Sequence, residues 1–78
     1  MNIDKKLEKS LKQFGLHIKK LREKRCITLN ELAEKTRIRK DYLQKIENGT
    51  AYGVKLENHL LKIAKVLKIS LYELFNFE

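Results

Sequence analysis

The chain has 78 residues, with 18 lysines and arginines against 10 acidic residues, a net charge of +8, no proline, three glycines and one cysteine. That length holds one domain, the scarcity of glycine and proline disfavours a turn-rich β fold, and a lone cysteine excludes an internal disulfide. No apolar run approaches about 18 residues and no signal peptide is evident, so the chain reads as cytoplasmic. The excess of cations points to an anionic partner, nucleic acid being the commonest, against the plainer reading of a solvated lysine-rich surface.

Apolar residues recur at helical spacing almost throughout. Ile3, Leu7, Leu11, Phe14, Ile18 and Leu21 form a first stripe opposite Lys5, Lys6, Lys9, Lys12, Lys19, Lys20 and Glu23. This predicts helix from about residue 3 to 25, either as one rod or as two helices meeting near Gly15. Thr28, with Glu31 three residues on, is a capping box that starts a second helix, with Leu29, Leu32 and Ala33 inward and an end near Thr36. Ile38, Tyr42, Leu43 and Ile46 mark a third, closed by Asn48-Gly49. Thr50 to Val54 has no period and reads as a loop. Leu56, Leu60, Ile63, Ala64 and Leu67 predict a fourth helix, and Ser70 with Glu73 caps a short fifth whose apolar side is Leu71, Leu74 and Phe75. The fold class is all-α, a bundle of about five helices.

Two short helices joined by a tight turn are the skeleton of a helix-turn-helix. Burial of Leu32, Ala33, Ile38, Leu43 and Ile46 leaves Arg39, Lys40, Asp41, Gln44 and Lys45 on the outer side of the third helix. A helix fits the DNA major groove, about 12 Å wide, where Arg and Lys donate to guanine, Gln pairs with adenine and Asp accepts from cytosine N4. The amides that open the second helix near Thr28 form an anion site for a phosphate. Arg37, Asn48 and the backbone from Gly49 to Gly53 add to it, orienting the protein without reading sequence. Lys5, Lys6, Lys62 and Lys65 are expected to face away from DNA.

The segment TLNELAEKTRIRKDYLQKIENG, with the flanks FGLHIKKLREKR and LLKIAKVLKISLYELF, resembles the phage-repressor family of the Cro and cI type, also called the xenobiotic-response-element type. The resemblance covers residues 14–75. It implies a lambda-repressor-like bundle in which residues 1–13 are an N-terminal helical extension and 14–78 a helix-turn-helix DNA-binding domain. It also implies a transcriptional regulator, a repressor, that binds double-stranded DNA in a sequence-specific manner and reads bases from the positions of Lys40, Asp41, Gln44 and Lys45. The family pairs an arginine and a glutamate across the first and third helices at the positions of Arg22 and Glu47. Leu29 departs from the family's phosphate-binding glutamine. Arg37 and Cys26 stand where glycine is usual, and a positive φ at either would be strained. The loop after the third helix is longer than usual and lacks the family's proline.

The stretch TRIRKDYLQKIENG also resembles the cytoplasmic domain of the RodZ family, which uses the same fold to bind a cytoskeletal filament protein. A protein–protein adapter is therefore the second function class. The basic outer face and the absence of that family's proline and aromatic signature favour DNA. One short helix reads few bases, so a homodimer on an inverted-repeat operator is expected, with half-sites about 34 Å apart. Its surface is either the C-terminal set Leu71, Tyr72, Leu74, Phe75 and Phe77 or the N-terminal stripe Ile3, Leu7 and Leu11. His17 and His59 are isolated, and Cys26 has basic neighbours but no His–Asp constellation. No enzyme activity, metal, cofactor or small-molecule ligand is expected.

Overall fold

The computed structural model describes residues 5–77. Over these, α1 (Lys5–Lys24), α2 (Leu29–Thr36), α3 (Lys40–Asn48), α4 (Leu61–Leu67) and α5 (Leu71–Phe75) follow in chain order, with a π-helical turn over Leu56–Leu60 leading into α4. Each helix sends at least one fully buried side chain into a single core: Ile18, Leu32, Leu43, Ile63, Leu67 and Leu74. Ile3 of the first stripe lies outside the described residues. No described helix is long and apolar enough to cross a membrane.

The first helix runs unbroken through Phe14, so the alternative of two helices meeting near Gly15 is not realised. Gly15 serves close packing instead. A Cβ there would lie 2.3 Å from the carbonyl oxygen of Ile46 and 2.5 Å from that of Glu47. Bare backbone at this point lets the C-terminal end of α3 cross α1 in direct contact. N-terminal to the crossing, α1 projects from the bundle: Lys5 to Lys12 are all exposed, including Leu7 and Leu11.

The capping box at α2 is complete, since Thr28 Oγ1 accepts the Glu31 N–H at 3.0 Å and Glu31 Oε1 accepts the Thr28 N–H at 3.0 Å. At α5, Ser70 Oγ accepts the Glu73 N–H at 3.0 Å. Four helix ends turn through the left-handed region, at Cys26 (φ 57°), Arg37 (60°), Gly49 (76°) and Lys68 (57°). Cys26 and Arg37, where glycine is usual in the family, do adopt the positive φ, at a strain of about 1 kcal/mol or more each. Wrap-around backbone bonds hold three of these ends: Ile27 N–H to Arg22 O at 3.2 Å, Thr50 N–H to Lys45 O at 2.8 Å and Ile69 N–H to Ala64 O at 3.0 Å.

Two apolar expectations need correction. Leu56 does not continue the inward stripe of α4 but is 48% exposed. The π-turn is wider than an α-turn and rotates Leu56 out of line with Leu60, Ile63, Ala64 and Leu67. Leu74, offered above as part of a dimer surface, is completely buried in the core. Around it, the Phe75 ring stacks on Phe14 with centroids 5.5 Å apart, and Phe77 tilts against the same ring at 5.3 Å. Tyr72 and Phe75 nonetheless keep substantial exposure.

Candidate nucleic-acid interface

The turn from α2 to α3 is stitched by a buried hydroxyl. Thr36 Oγ1 donates to the Leu32 carbonyl at 2.7 Å and accepts the Ile38 N–H at 3.2 Å. Ile38, Leu43 and Ile46 then enter the core, and the opposite face of α3 carries Lys40, Asp41, Gln44, Lys45 and Asn48, all exposed. Arg39, the residue before the first turn of α3, is exposed as well.

A buried ion pair joins that helix to α1. Arg22 Nε donates to Glu47 Oε2 at 2.8 Å and Nη2 donates to Oε1 at 3.1 Å, while Nη1 donates to the Ile27 carbonyl at 2.8 Å. Both residues are only 8% exposed. The hydrogen bonds to the Glu47 carboxylate raise the Arg22 pKa above its usual value, outweighing the opposite effect of burial. Among the described residues, no buried side-chain nitrogen or oxygen lacks a hydrogen-bond partner.

The start of α2 is less open than the sequence suggests. The capping box consumes the Thr28 hydroxyl and the Thr28 and Glu31 N–H groups. The N–H groups of Leu29 and Asn30 are the donors left over. The Glu31 carboxyl sits at the same terminus, and its hydrogen bond from the Thr28 backbone lowers its pKa. Leu29 supplies no polar group and packs partly against the core. Gly49 is likewise committed. Its N–H donates to the Ile46 carbonyl at 3.1 Å, and a Cβ there would lie 2.7 Å from the Lys12 Cα. Asn48 beside it is exposed, and so is Arg37 in the turn.

A groove runs between the N-terminal half of α3 and the π-turn. Arg37, Arg39, Asp41 and Lys45 line one side of it, and His59 and Lys62 the other. Lys62, expected to face away, thus lines the same groove as the outer residues of α3, whereas Lys5, Lys6 and Lys65 are exposed outside it. The Tyr42 ring lies 5.0 Å from that of His59, the Tyr42 hydroxyl donates to the Tyr52 carbonyl, and His59 Nδ1 accepts the Lys55 N–H at 2.8 Å. These contacts moor the loop after α3 to the groove. Sequence spacing puts His59 and Lys62 on one helical face. That this face lines a groove against α3 depends on how distant segments pack, and no residue pattern announced it.

Two of the outer residues are joined to each other. Arg39 Nη2 donates to Asp41 Oδ2 at 2.7 Å and Arg39 Nε donates to Asp41 Oδ1 at 3.2 Å. The same Oδ1 accepts the Tyr42 N–H at 3.0 Å. These contacts hold the Asp41 carboxyl below, and the Arg39 guanidinium above, their ordinary pKa values. The remaining singled-out residues lie elsewhere. His17 Nε2 donates to the Glu73 carbonyl at 2.9 Å and so ties α1 to α5, and the Cys26 thiol is exposed and unpaired.

A comparison with curated proteins finds no match. The family model of the Cro/C1-type HTH DNA-binding domain matches residues 17–78. That span takes in the capped α2, the stitched turn and the outward α3. Sequence pattern, helix order and family match agree, and the chain belongs to the Cro/C1-type family of helix-turn-helix DNA-binding domains.

Proposed function

We propose that this chain is a repressor that binds inverted-repeat operators as a homodimer, placing α3 in the major groove and occluding a promoter. The observation that carries the reading is the outer face of α3. Lys40, Gln44 and Lys45 stand exposed there in a row, on a helix whose other side is fixed by the core and by the Arg22–Glu47 pair. Arg and Lys donors suit guanine O6 and N7, and the Gln44 amide suits adenine. The Leu29 and Asn30 amides, Arg37 and Asn48 flank that row and are suited to phosphate. Lys62 joins them across the groove. Leu7 and Leu11 at one end, and Tyr72 and Phe75 at the other, are the apolar surfaces that pairing of two copies would cover.

Selection of bound duplexes from a random pool at near-physiological salt tests this directly. An enriched inverted repeat with half-sites about one helical turn apart is expected. Gln44→Ala and Lys45→Ala should each cost about 1–3 kcal/mol on that site while leaving the fold intact. Retention of DNA without any enriched sequence, weakening steeply with salt, would reduce the role of the domain to charge. The adapter reading would then take its place.

A further inference from the structure

Asp41 is out of place on a face meant for DNA. A carboxylate there meets a polyanion, in a protein whose net charge is +8. The ion pair with Arg39 adds little stability, because the side chains of Arg39 and Asp41 are 82% and 59% exposed and exposed pairs contribute little; a carboxylate in the first turn of a helix adds a modest favourable term of its own. Nor is Asp41 well placed to read a base. Of its roughly four lone-pair positions, three already accept hydrogen bonds, two from Arg39 and one from the Tyr42 backbone.

The geometry of the pair suggests a different use. The carboxylate covers the side edge of the guanidinium, formed by Nε and one Nη2 hydrogen. The end edge, with one Nη1 hydrogen and the second Nη2 hydrogen, stays open. Two parallel donors on that edge match the O6 and N7 acceptors that guanine presents in the major groove. We infer that Asp41 is a positioning residue: it holds Arg39 extended from the start of α3 so that the end edge of the guanidinium recognises a guanine. The inference rests on α3 being the recognition helix. Two physical effects make the arrangement useful. Arg39 is ordered before DNA arrives, so less side-chain freedom is lost on binding. The Asp41 charge is compensated locally by Arg39, and Asp41 penalises any register in which Arg39 points elsewhere and leaves the carboxylate facing phosphates. The hydrogen bonds from Arg39 lower the carboxyl pKa and so favour the ionised form of Asp41.

The test compares base preferences of the full chain and of Arg39→Ala, Asp41→Asn and the double variant, each selected on the same random duplex pool, with melting temperatures measured alongside. The wild type is expected to show a guanine whose replacement weakens binding by roughly tenfold or more. Arg39→Ala and Asp41→Asn should both lose that preference, at the same base pair, and the double variant should lose nothing further. On random duplex, Asp41→Asn should bind at least as tightly as the wild type. A purely structural role in the first turn of α3 would lower the melting temperature of Asp41→Asn without moving its base preference, and that outcome overturns the inference. So does a preference lost by Asp41→Asn at a different base pair from Arg39→Ala, which would make Asp41 a reader in its own right. Failure of the underlying reading is distinguishable, because the wild type itself would then enrich no sequence.

Discussion

Removing Glu47 tests whether the buried ion pair sets the stability of the domain. In Glu47→Ala the Arg22 guanidinium loses the two hydrogen bonds to the carboxylate and keeps only the one to the Ile27 carbonyl. At 8% exposure the guanidinium cannot recover water without opening the contact between α1 and α3. Breaking a buried pair from one side costs about 3–5 kcal/mol. A chain of this size has on the order of 4–12 kcal/mol of total stability, so the loss is about a quarter of the whole or more. In a domain this small each kcal/mol is worth roughly 4–8 °C, which puts the drop in Tm above about 10 °C. Thermal and urea unfolding followed by circular dichroism measure it. Replacing both partners by apolar residues, Arg22→Met with Glu47→Leu, should recover most of the loss, because no charge is then stranded. A Glu47→Ala protein that melts within a degree or two of the wild type would refute the argument, and so would a double variant no better than the single.

Gly15→Ala should destabilise even though alanine is the better helix former by about 1 kcal/mol. Reaching 3.0 Å from 2.3 Å requires the Ile46 carbonyl to retreat along with the backbone of α3, and a net loss of about 1–3 kcal/mol is expected in urea unfolding. Lys68→Gly should raise stability by about 0.5–1 kcal/mol, because glycine adopts φ 57° freely while losing somewhat more freedom on folding; an unchanged midpoint would mean the turn carries no strain. The Glu31 carboxyl has its pKa lowered in the fold from an ordinary 4.5, so its contribution is present above that value and disappears as the pH falls through the lower folded value. Tm measured from about pH 6 down to pH 3 should fall more for the wild type than for Glu31→Gln, and parallel curves would show that the capping-box charge contributes nothing.

The helices were legible wherever a local signal and the apolar period agreed. Thr28 with Glu31, Asn48 with Gly49, and Ser70 with Glu73 each marked a boundary by chemistry that acts within four residues. The outer face of α3 followed from the same logic, since Leu43 and Ile46 leave Gln44 and Lys45 outside. What escaped depended on contacts between distant segments. Gly15 looks like a helix breaker in sequence and is a packing notch, because the carbonyls that need the space belong to α3. Leu56 fits an α-helical stripe and leaves it because the first turn is π. Lys62 joins the groove because of where α4 lies relative to the start of α3, which spacing along one helix does not reveal. The Arg39–Asp41 pair is two residues apart at a helix start, a spacing that periodicity does not bring together, and only the extended conformation of Arg39 (ψ 140°) lets the two side chains meet.

The projecting end of α1 has a consequence for motion. A helix of 20 residues is about 30 Å long, and its firm attachments begin near Gly15. Residues before that point bury little, so their helicity rests on intrinsic propensity and on propagation from the anchored turns. Amide exchange along α1 should therefore be graded, slowest at Ile18 and Arg22, where only global unfolding exposes the backbone, and fast at Lys9 and Leu11, where the end can unravel while the rest of the domain stays folded. The rod melts from one tip. Slowing of those two amides as protein concentration rises would show that a second copy covers Leu7 and Leu11, and would identify the face on which the pairing occurs.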